Sequence, residues 1–262
     1  MTSKLHNTNT ICNVCHSRIA IYYRRESGEK LCLRCLESSI LKRVTKCINK
    51  YTLLTPNDKI FYVFLPQHIY YSLYLLRVLL LIEKSFPTEI IVLAPHYIIS
   101  EVMEYQSIKK FIVKEFNLNC EEAYDYLSLF LRELELIAEY AQKEGKIVLP
   151  LLLDDIVKLY ILAILNMKID FIGYLRPKFR IKESTFITPF RHIQAKELSL
   201  ICYFKFPGKY VKLLLKDASY MKTPKCMVVD EIVNNIVRSH IELGFVIVER
   251  VDKLYRMVTT IN

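Results

Sequence analysis

Short apolar segments alternate with longer amphipathic segments along residues 55–200 of this 262-residue chain. The short segments are apolar throughout, which is typical of strands buried on both faces, whereas the longer segments repeat their apolar residues at helical spacing. Strands that are separated by helices form a parallel sheet with helices on both faces. The sequence therefore predicts an α/β fold of Rossmann-like type. The predicted strands and helices alternate over residues 59–65, 68–84, 89–93, 97–105, 109–114, 121–143, 146–152 and 155–166.

Four cysteines near the N-terminus form two Cys-x2-Cys pairs, Cys12 with Cys15 and Cys32 with Cys35. Sixteen residues separate the pairs, and this spacing is typical of four thiolates around one Zn²⁺. The stretch between the pairs has the character of a strand and a turn, so we expect a small zinc ribbon over residues 1–36. A closed four-thiolate site is structural, because it leaves no coordination position for a substrate. A redox dithiol or an iron centre is the alternative.

Basic residues are concentrated in two blocks of a chain whose formal net charge is +10. Residues 1–50 hold ten Lys or Arg against three Asp or Glu, and residues 171–225 hold twelve against three. Residues 51–170, between them, hold eleven basic and sixteen acidic residues. This segregation favours a polyanionic partner, with a lysine-rich solubilising surface as the alternative.

Both basic blocks have features that suit nucleic acid. In the first block, a predicted helix over residues 36–51 places Lys42, Arg43, Lys46 and Lys50 about one turn apart, which gives it a basic face. In the second block, aromatic residues are interspersed among basic ones. Cations pair with RNA phosphates and rings stack on unpaired bases, so this mixture indicates RNA binding. The alternative is that the rings belong to the core and the basic groups surround it.

The chain lacks an ordinary phosphate-binding loop in its first half. None of its five glycines lies between residues 29 and 144, and such loops need glycine so that backbone amides can approach the anion. The turn after the first predicted strand, at 65–70, also lacks a lysine. Asp154 and Asp155 follow the fourth strand and could hold Mg²⁺ or a ribose. The alternative is that Asp154 caps the next helix and Asp155 favours its dipole.

No apolar run is long enough to span a membrane. The densest run, 69–82, has 14 residues and contains Arg77, whereas a spanning helix needs about 20 apolar residues. Residues 1–10 lack the apolar region of a signal peptide. We therefore expect a cytoplasmic protein with no membrane partner.

The order of these features resembles the TtuA-type tRNA 2-thiolation enzymes of the PP-loop family, also described as adenine nucleotide alpha hydrolase-like. That family includes the catalytic subunit of cytosolic wobble-uridine thiolation. The resemblance covers nearly the whole chain, and the four cysteines are its specific part. The other matching segments are 59–64, the Leu-Asp-Asp run 153–155, the Ile-Thr-Pro-Phe-Arg run 187–191 and the Lys-Glu-Leu run 196–198.

The motifs that perform chemistry in that family are replaced here. The family's Ser-Gly-Gly-Lys-Asp-Ser loop, which holds ATP phosphates, falls on residues 65–70 and keeps none of its residues. Its catalytic Cys-x-x-Cys falls near Tyr124 and Leu127, with Cys120 one turn upstream. Cys226 could match the family's third cysteine, but two cysteines do not complete an iron–sulfur site that needs three.

The resemblance therefore implies a catalytically inactive relative that acts as a tRNA-binding or partner-binding scaffold in wobble-uridine thiolation. It implies a structural Zn²⁺, with neither ATP nor an iron–sulfur cluster. tRNA is the expected partner, and an active thiolation paralogue or a second copy of this chain is the other. The alternatives are a protein-interaction module without RNA, and an active sulfurtransferase or nucleotide-binding enzyme that uses Asp154, Asp155 and Cys226.

The resemblance also divides the chain. A zinc ribbon at 1–36 is followed by a basic linker helix at 37–54, a degenerate PP-loop-like domain at 55–205 and a C-terminal extension at 206–262. The expected contacts to RNA phosphates are Arg24, Arg25, Arg43, Arg176, Lys178, Arg180 and Arg191.

Overall fold

The computed structural model describes residues 10–118, 126–141, 145–206 and 241–259, together with residues 208, 228, 231–233 and 235. The strands are β1 (Tyr22–Arg24), β2 (Glu29–Leu31), β3 (Lys59–Val63), β4 (Glu89–Ala94), β5 (Ile112–Glu115), β6 (Lys146–Val148), β7 (Lys178–Ile181) and β8 (Ser184–Ile187). The helices are α1 (Leu33–Tyr51), α2 (Ile69–Ile82), α3 (Ile99–Met103), α4 (Tyr126–Ala141), α5 (Leu153–Leu165), α6 (Ala195–Lys205) and α7 (Ile241–Thr259).

Six strands form one sheet in the order β5-β4-β3-β6-β8-β7, and β1 pairs with β2 in a separate antiparallel ribbon. All neighbours in the large sheet are parallel except β7, which runs antiparallel to β8 at one edge. The predicted α/β fold is confirmed. The hairpin of β7 and β8 is absent from the sequence prediction, because Lys178 and Arg180 alternate with apolar residues inside the basic block.

Alternate residues of the central strand β3 belong to two separate hydrophobic cores, one on each face of the sheet. Ile60 and Tyr62 are buried against α1, α2 and α6, whereas Phe61 and Val63 are buried against α4, α5 and α7. This is the period of two that a strand imposes on its side chains. Burial of each such side chain stabilises the fold by about 1.5–3 kcal/mol. Helices therefore cover both faces, as the apolar strands predict.

Helix α1 joins the ribbon to the sheet. It starts three residues before the predicted 36–51 segment, directly after Cys32. It ends at Tyr51 and is followed by Thr52 in a left-handed conformation with φ of 48°. Its apolar side, including Leu36, Ile40 and Val44, is fully buried in the same core as α2 and α6. The helix is therefore a packed element of the body as well as a connection. None of the helices in the described parts of the chain combines the length and the hydropathy needed to cross a bilayer.

Candidate functional site

The four predicted metal-binding cysteines come together. Cys12 and Cys15 lie on the turn before β1, Cys32 directly precedes α1 and Cys35 lies in its first turn. Their four Sγ atoms all lie within 4.8 Å of one another, and those of Cys15 and Cys32 are 3.8 Å apart. Cys12 and Cys32 are buried and the other two are half-buried.

Backbone hydrogen bonds build this cluster. The His16 N–H donates to Cys12 O at 2.9 Å, and His16 adopts a φ of 51°, which closes the first turn tightly. The Lys30 N–H donates to Asn13 Oδ1 at 2.7 Å, while the Asn13 N–H donates to Lys30 O at 3.0 Å. These two bonds tie the first cysteine pair to β2, which leads directly into the second pair.

The donor set fits a metal. Metal–sulfur bonds of about 2.3 Å in a tetrahedron place neighbouring sulfurs about 3.8 Å apart, which matches the Cys15–Cys32 distance. A hydrogen bond from Ser17 lowers the pKa of Cys15 to about 5, whereas burial raises the pKa of Cys35 to about 12. A bound cation ionises all four thiols despite this difference. Four thiolates also bind iron–sulfur clusters, so the residues alone do not select the metal.

A second group of polar residues lies at the carboxyl ends of β3 and β6, where open α/β sheets usually bind ligands. His68 Nε2 is 2.8 Å from Asp155 Oδ1, and Asp155 Oδ2 accepts the Leu152 N–H at 2.8 Å. Asp154 Oδ2 accepts the N–H of Ala195, the first residue of α6, at 2.8 Å. The alternative interpretation, that Asp154 caps α5, is therefore wrong, because Asp155 accepts the N–H at the start of α5 and Asp154 accepts the N–H at the start of α6.

Other catalytic candidates from the sequence are not brought to this place. Cys226, Cys120 and Tyr124 lie outside the described residues, and Leu127 is fully buried in the core. His68 had no sequence signal beyond its position at the start of a predicted helix, since only the fold brings it to Asp155.

Asp154 makes a pH-dependent contribution to stability. Burial raises its pKa to about 6, against about 3.9 in an unfolded chain. The folded state thus binds more protons than the unfolded state between about pH 4 and pH 6, so stability falls as the pH rises through that window. Above pH 6 the full cost is on the order of 3 kcal/mol.

We expect Asp154→Asn to be more stable than the wild type by roughly 1–2 kcal/mol at pH 7.5, because Asn keeps the acceptor for Ala195 without the buried charge. The advantage should shrink as the pH falls and vanish near pH 4. Thermal unfolding of both proteins across this range measures the difference. His192 titrates in both proteins, so its contribution to the pH dependence cancels in the difference. A stability advantage that does not vary with pH would contradict the assignment to Asp154.

Three of the predicted RNA-binding arginines bind partners within the protein through their guanidinium groups. Arg191 is fully buried, and its Nη1 donates to Leu175 O at 2.8 Å and to Thr188 Oγ1 at 3.1 Å. Arg24 and Arg43 both pair with a buried carboxylate. The predictions for these residues are corrected, because a guanidinium held in this way is not presented to an RNA phosphate.

Glu197 is that buried carboxylate, and its side chain is fully shielded from solvent. Its Oε1 lies 3.0 Å from Arg24 Nη2, and its Oε2 lies 2.7 Å from Arg43 Nη2. The ribbon, α1 and α6 meet at this one side chain. Of the remaining candidates, Arg25, Lys178 and Arg180 are exposed and Arg176 is half-buried.

No protein-family model and no curated protein matches this sequence. Among solved structures, the chain is similar to the U34-tRNA thiolase NcsA from Methanococcus maripaludis with its [4Fe-4S] cluster. The TM-score is 0.69 at 17% identity, over 95% of this chain and 87% of the thiolase. This chain has the PP-loop thiolase fold. The fold expected from the resemblance is therefore confirmed along nearly the whole chain.

The expectation of zinc as the sole cofactor, with no iron–sulfur cluster, is wrong. The thiolase with the same fold carries a [4Fe-4S] cluster, and this chain assembles four cysteines that could hold a metal. Counting the family's cysteine positions along the sequence is thus not a sound basis for excluding iron.

Proposed function

We propose that this chain is a catalytically inactive relative of the tRNA 2-thiolation enzymes and acts as a tRNA-binding scaffold in wobble-uridine thiolation. The observation that carries the proposal is the contact of His68 with Asp155. It places an internal pair of side chains at the ends of β3 and β6. Both aspartates of the Leu-Asp-Asp run are then used for helix starts, which leaves them no role as ligands of a reacting group.

The backbone of the turn after β3 supports the same proposal. Pro66 has no N–H, the His68 N–H donates to Leu65 O at 3.0 Å, and the Phe64 N–H donates to Leu93 O at 3.0 Å. A phosphate is bound by several amides that point outward together, and these positions do not offer them. The Asp155 carboxylate beside the turn adds a charge that repels an anion.

A scaffold role agrees with the overall fold of the chain and with its exposed basic residues. The similarity in fold to a tRNA thiolase extends over 95% of this chain, which supports a role in the same process. Exposed cations remain on the ribbon, on α1 and on β7, including Arg25, Lys46 and Lys178. Such groups bind RNA through its phosphates and do not require a catalytic pocket.

The test combines turnover with binding. The purified protein, with its native metal content, is mixed with tRNA, ATP, Mg²⁺ and a sulfide donor, and pyrophosphate release and thiolated uridine are measured. We expect neither product above background, together with tRNA binding that weakens as salt rises. tRNA-dependent pyrophosphate release would show an active enzyme instead, and a lack of tRNA binding would favour the protein-interaction alternative.

A further inference from the structure

Two cavities open on the same side of α1. One, of about 260 Å³, lies between α1, His192 and Phe245 of α7. The other, of about 270 Å³, lies between α1 and the ribbon and reaches Cys35. Arg43 and Lys46 line both. The two cavities therefore form one continuous concave surface, here called the α1 groove, lined by Lys42, Arg43, Lys46, Lys50 and His192.

The α1 groove is basic, although Arg43 is paired with Glu197, and Glu29 at the ribbon end of the groove is paired with Arg24. Lys42, Lys46 and Lys50 are exposed, and within the described chain neither Lys42 nor Lys46 is paired with a carboxylate. Glu37, the acid of α1, is bound by Lys205 at 2.6 Å. Glu249 of α7, which lies near Lys50, is paired with Lys253 at 3.2 Å.

The pKa of His192 reflects the nearby positive charges of the groove. Burial and, after it, the charges of Arg191, Lys50, Arg43 and Lys46 together lower the pKa of His192 to about 4. Four cations thus act on one half-buried imidazole at the bottom of the cavity. An anion placed there gains from all of them, because it replaces solvent in a partly shielded site.

We propose that an RNA strand binds in the α1 groove, with successive backbone phosphates held by Lys46 and Lys50 beside His192. This inference rests on the proposed function and gives it a place on the molecule. From Cys35 to Lys50 the groove follows about 24 Å of helix, at 1.5 Å per residue, which is long enough for several successive phosphates. The half-buried ring of Phe245 forms an apolar wall beside them.

Substitution of exposed lysines tests the groove without disturbing the core. The variant Lys46→Ala/Lys50→Ala removes two phosphate contacts. We expect tRNA affinity to fall roughly tenfold or more near physiological salt, and the slope of log K against log salt to become shallower by about 1.4–1.8. The control Lys84→Ala/Lys110→Ala removes two exposed cations far along the chain from the groove. It should bind as the wild type does.

The outcomes separate the two proposals. If the wild type binds tRNA and Lys46→Ala/Lys50→Ala binds with the same affinity and salt slope, the α1 groove is not the site, although the scaffold function stands. If the wild type does not bind tRNA, both proposals are overturned.

The His192 imidazole resonance provides a second readout that does not depend on variants. A tRNA stem-loop should raise the pKa of His192, whereas inorganic phosphate at the same concentration should not. An equal rise with inorganic phosphate would identify a small-anion site and overturn the RNA assignment. No change with the stem-loop would overturn it as well.

Discussion

A Cys32→Ala variant is expected to lose the bound metal and to lower the melting temperature of the protein by roughly 10 °C. The four sulfurs hold together a ribbon whose strands have only three residues each, so little else stabilises that part. Structural metal sites contribute about 10–16 kcal/mol to the folding of isolated metal-binding peptides. Even about 3 kcal/mol of that contribution would produce such a shift in a chain of this size.

Metal analysis and thermal unfolding together test this prediction. Zinc and iron are quantified in the wild type, and visible absorption shows whether any iron belongs to a cluster. Cys202→Ala is the matched control, since Cys202 is equally buried but lies in the α6 core, outside the cysteine cluster. It should keep its metal. A Cys32→Ala protein with full metal content would show that the metal is bound elsewhere in the chain.

The sequence predicts the α/β framework because its signals are local. The strands of the central sheet are short apolar runs, and the helices between them have a clear apolar periodicity, so each can be recognised without its neighbours. The Cys-x2-Cys pairs are local as well. Strand β7 carries no such signal, since a strand at a sheet edge keeps polar residues on its open side. Strand β8, which lies inside the sheet, begins with the polar residues Ser184 and Thr185.

The hydrogen bonds and ion pairs of these arginines could not be predicted, because the partner residues are distant in the sequence. Arg191 is separated from Leu175, whose carbonyl it binds, by a hairpin that the sequence does not reveal. Arg24 and Arg43 meet Glu197 only once the ribbon, α1 and α6 are packed. A basic residue in a basic block is then as compatible with a buried ion pair as with RNA contact. His68 and Asp155 meet for the same reason.

Glu197→Gln is expected to destabilise the folded state by about 3–5 kcal/mol, because it leaves two largely buried guanidinium groups without their shared countercharge. Arg24 keeps the carboxylates of Glu29 and Glu26, whereas Arg43 keeps, among the residues that the structure describes, the carbonyl of His192 at 3.0 Å. Most of the lost stability should therefore come from the unpaired charge of Arg43. Urea unfolding measures it as a lower midpoint with an unchanged slope.

The control for this loss is Glu139→Gln, which breaks the exposed pair of Glu139 with Lys182 at 2.7 Å. Water screens such pairs, so we expect a change below about 1 kcal/mol that declines with added salt, whereas the effect of Glu197→Gln should persist in salt. Replacing the whole triad, as in Arg24→Met/Arg43→Met/Glu197→Leu, should recover most of the stability, because no buried charge is then left unpaired. If Glu197→Gln cost no more than Glu139→Gln, the triad would not be what joins the ribbon to the sheet.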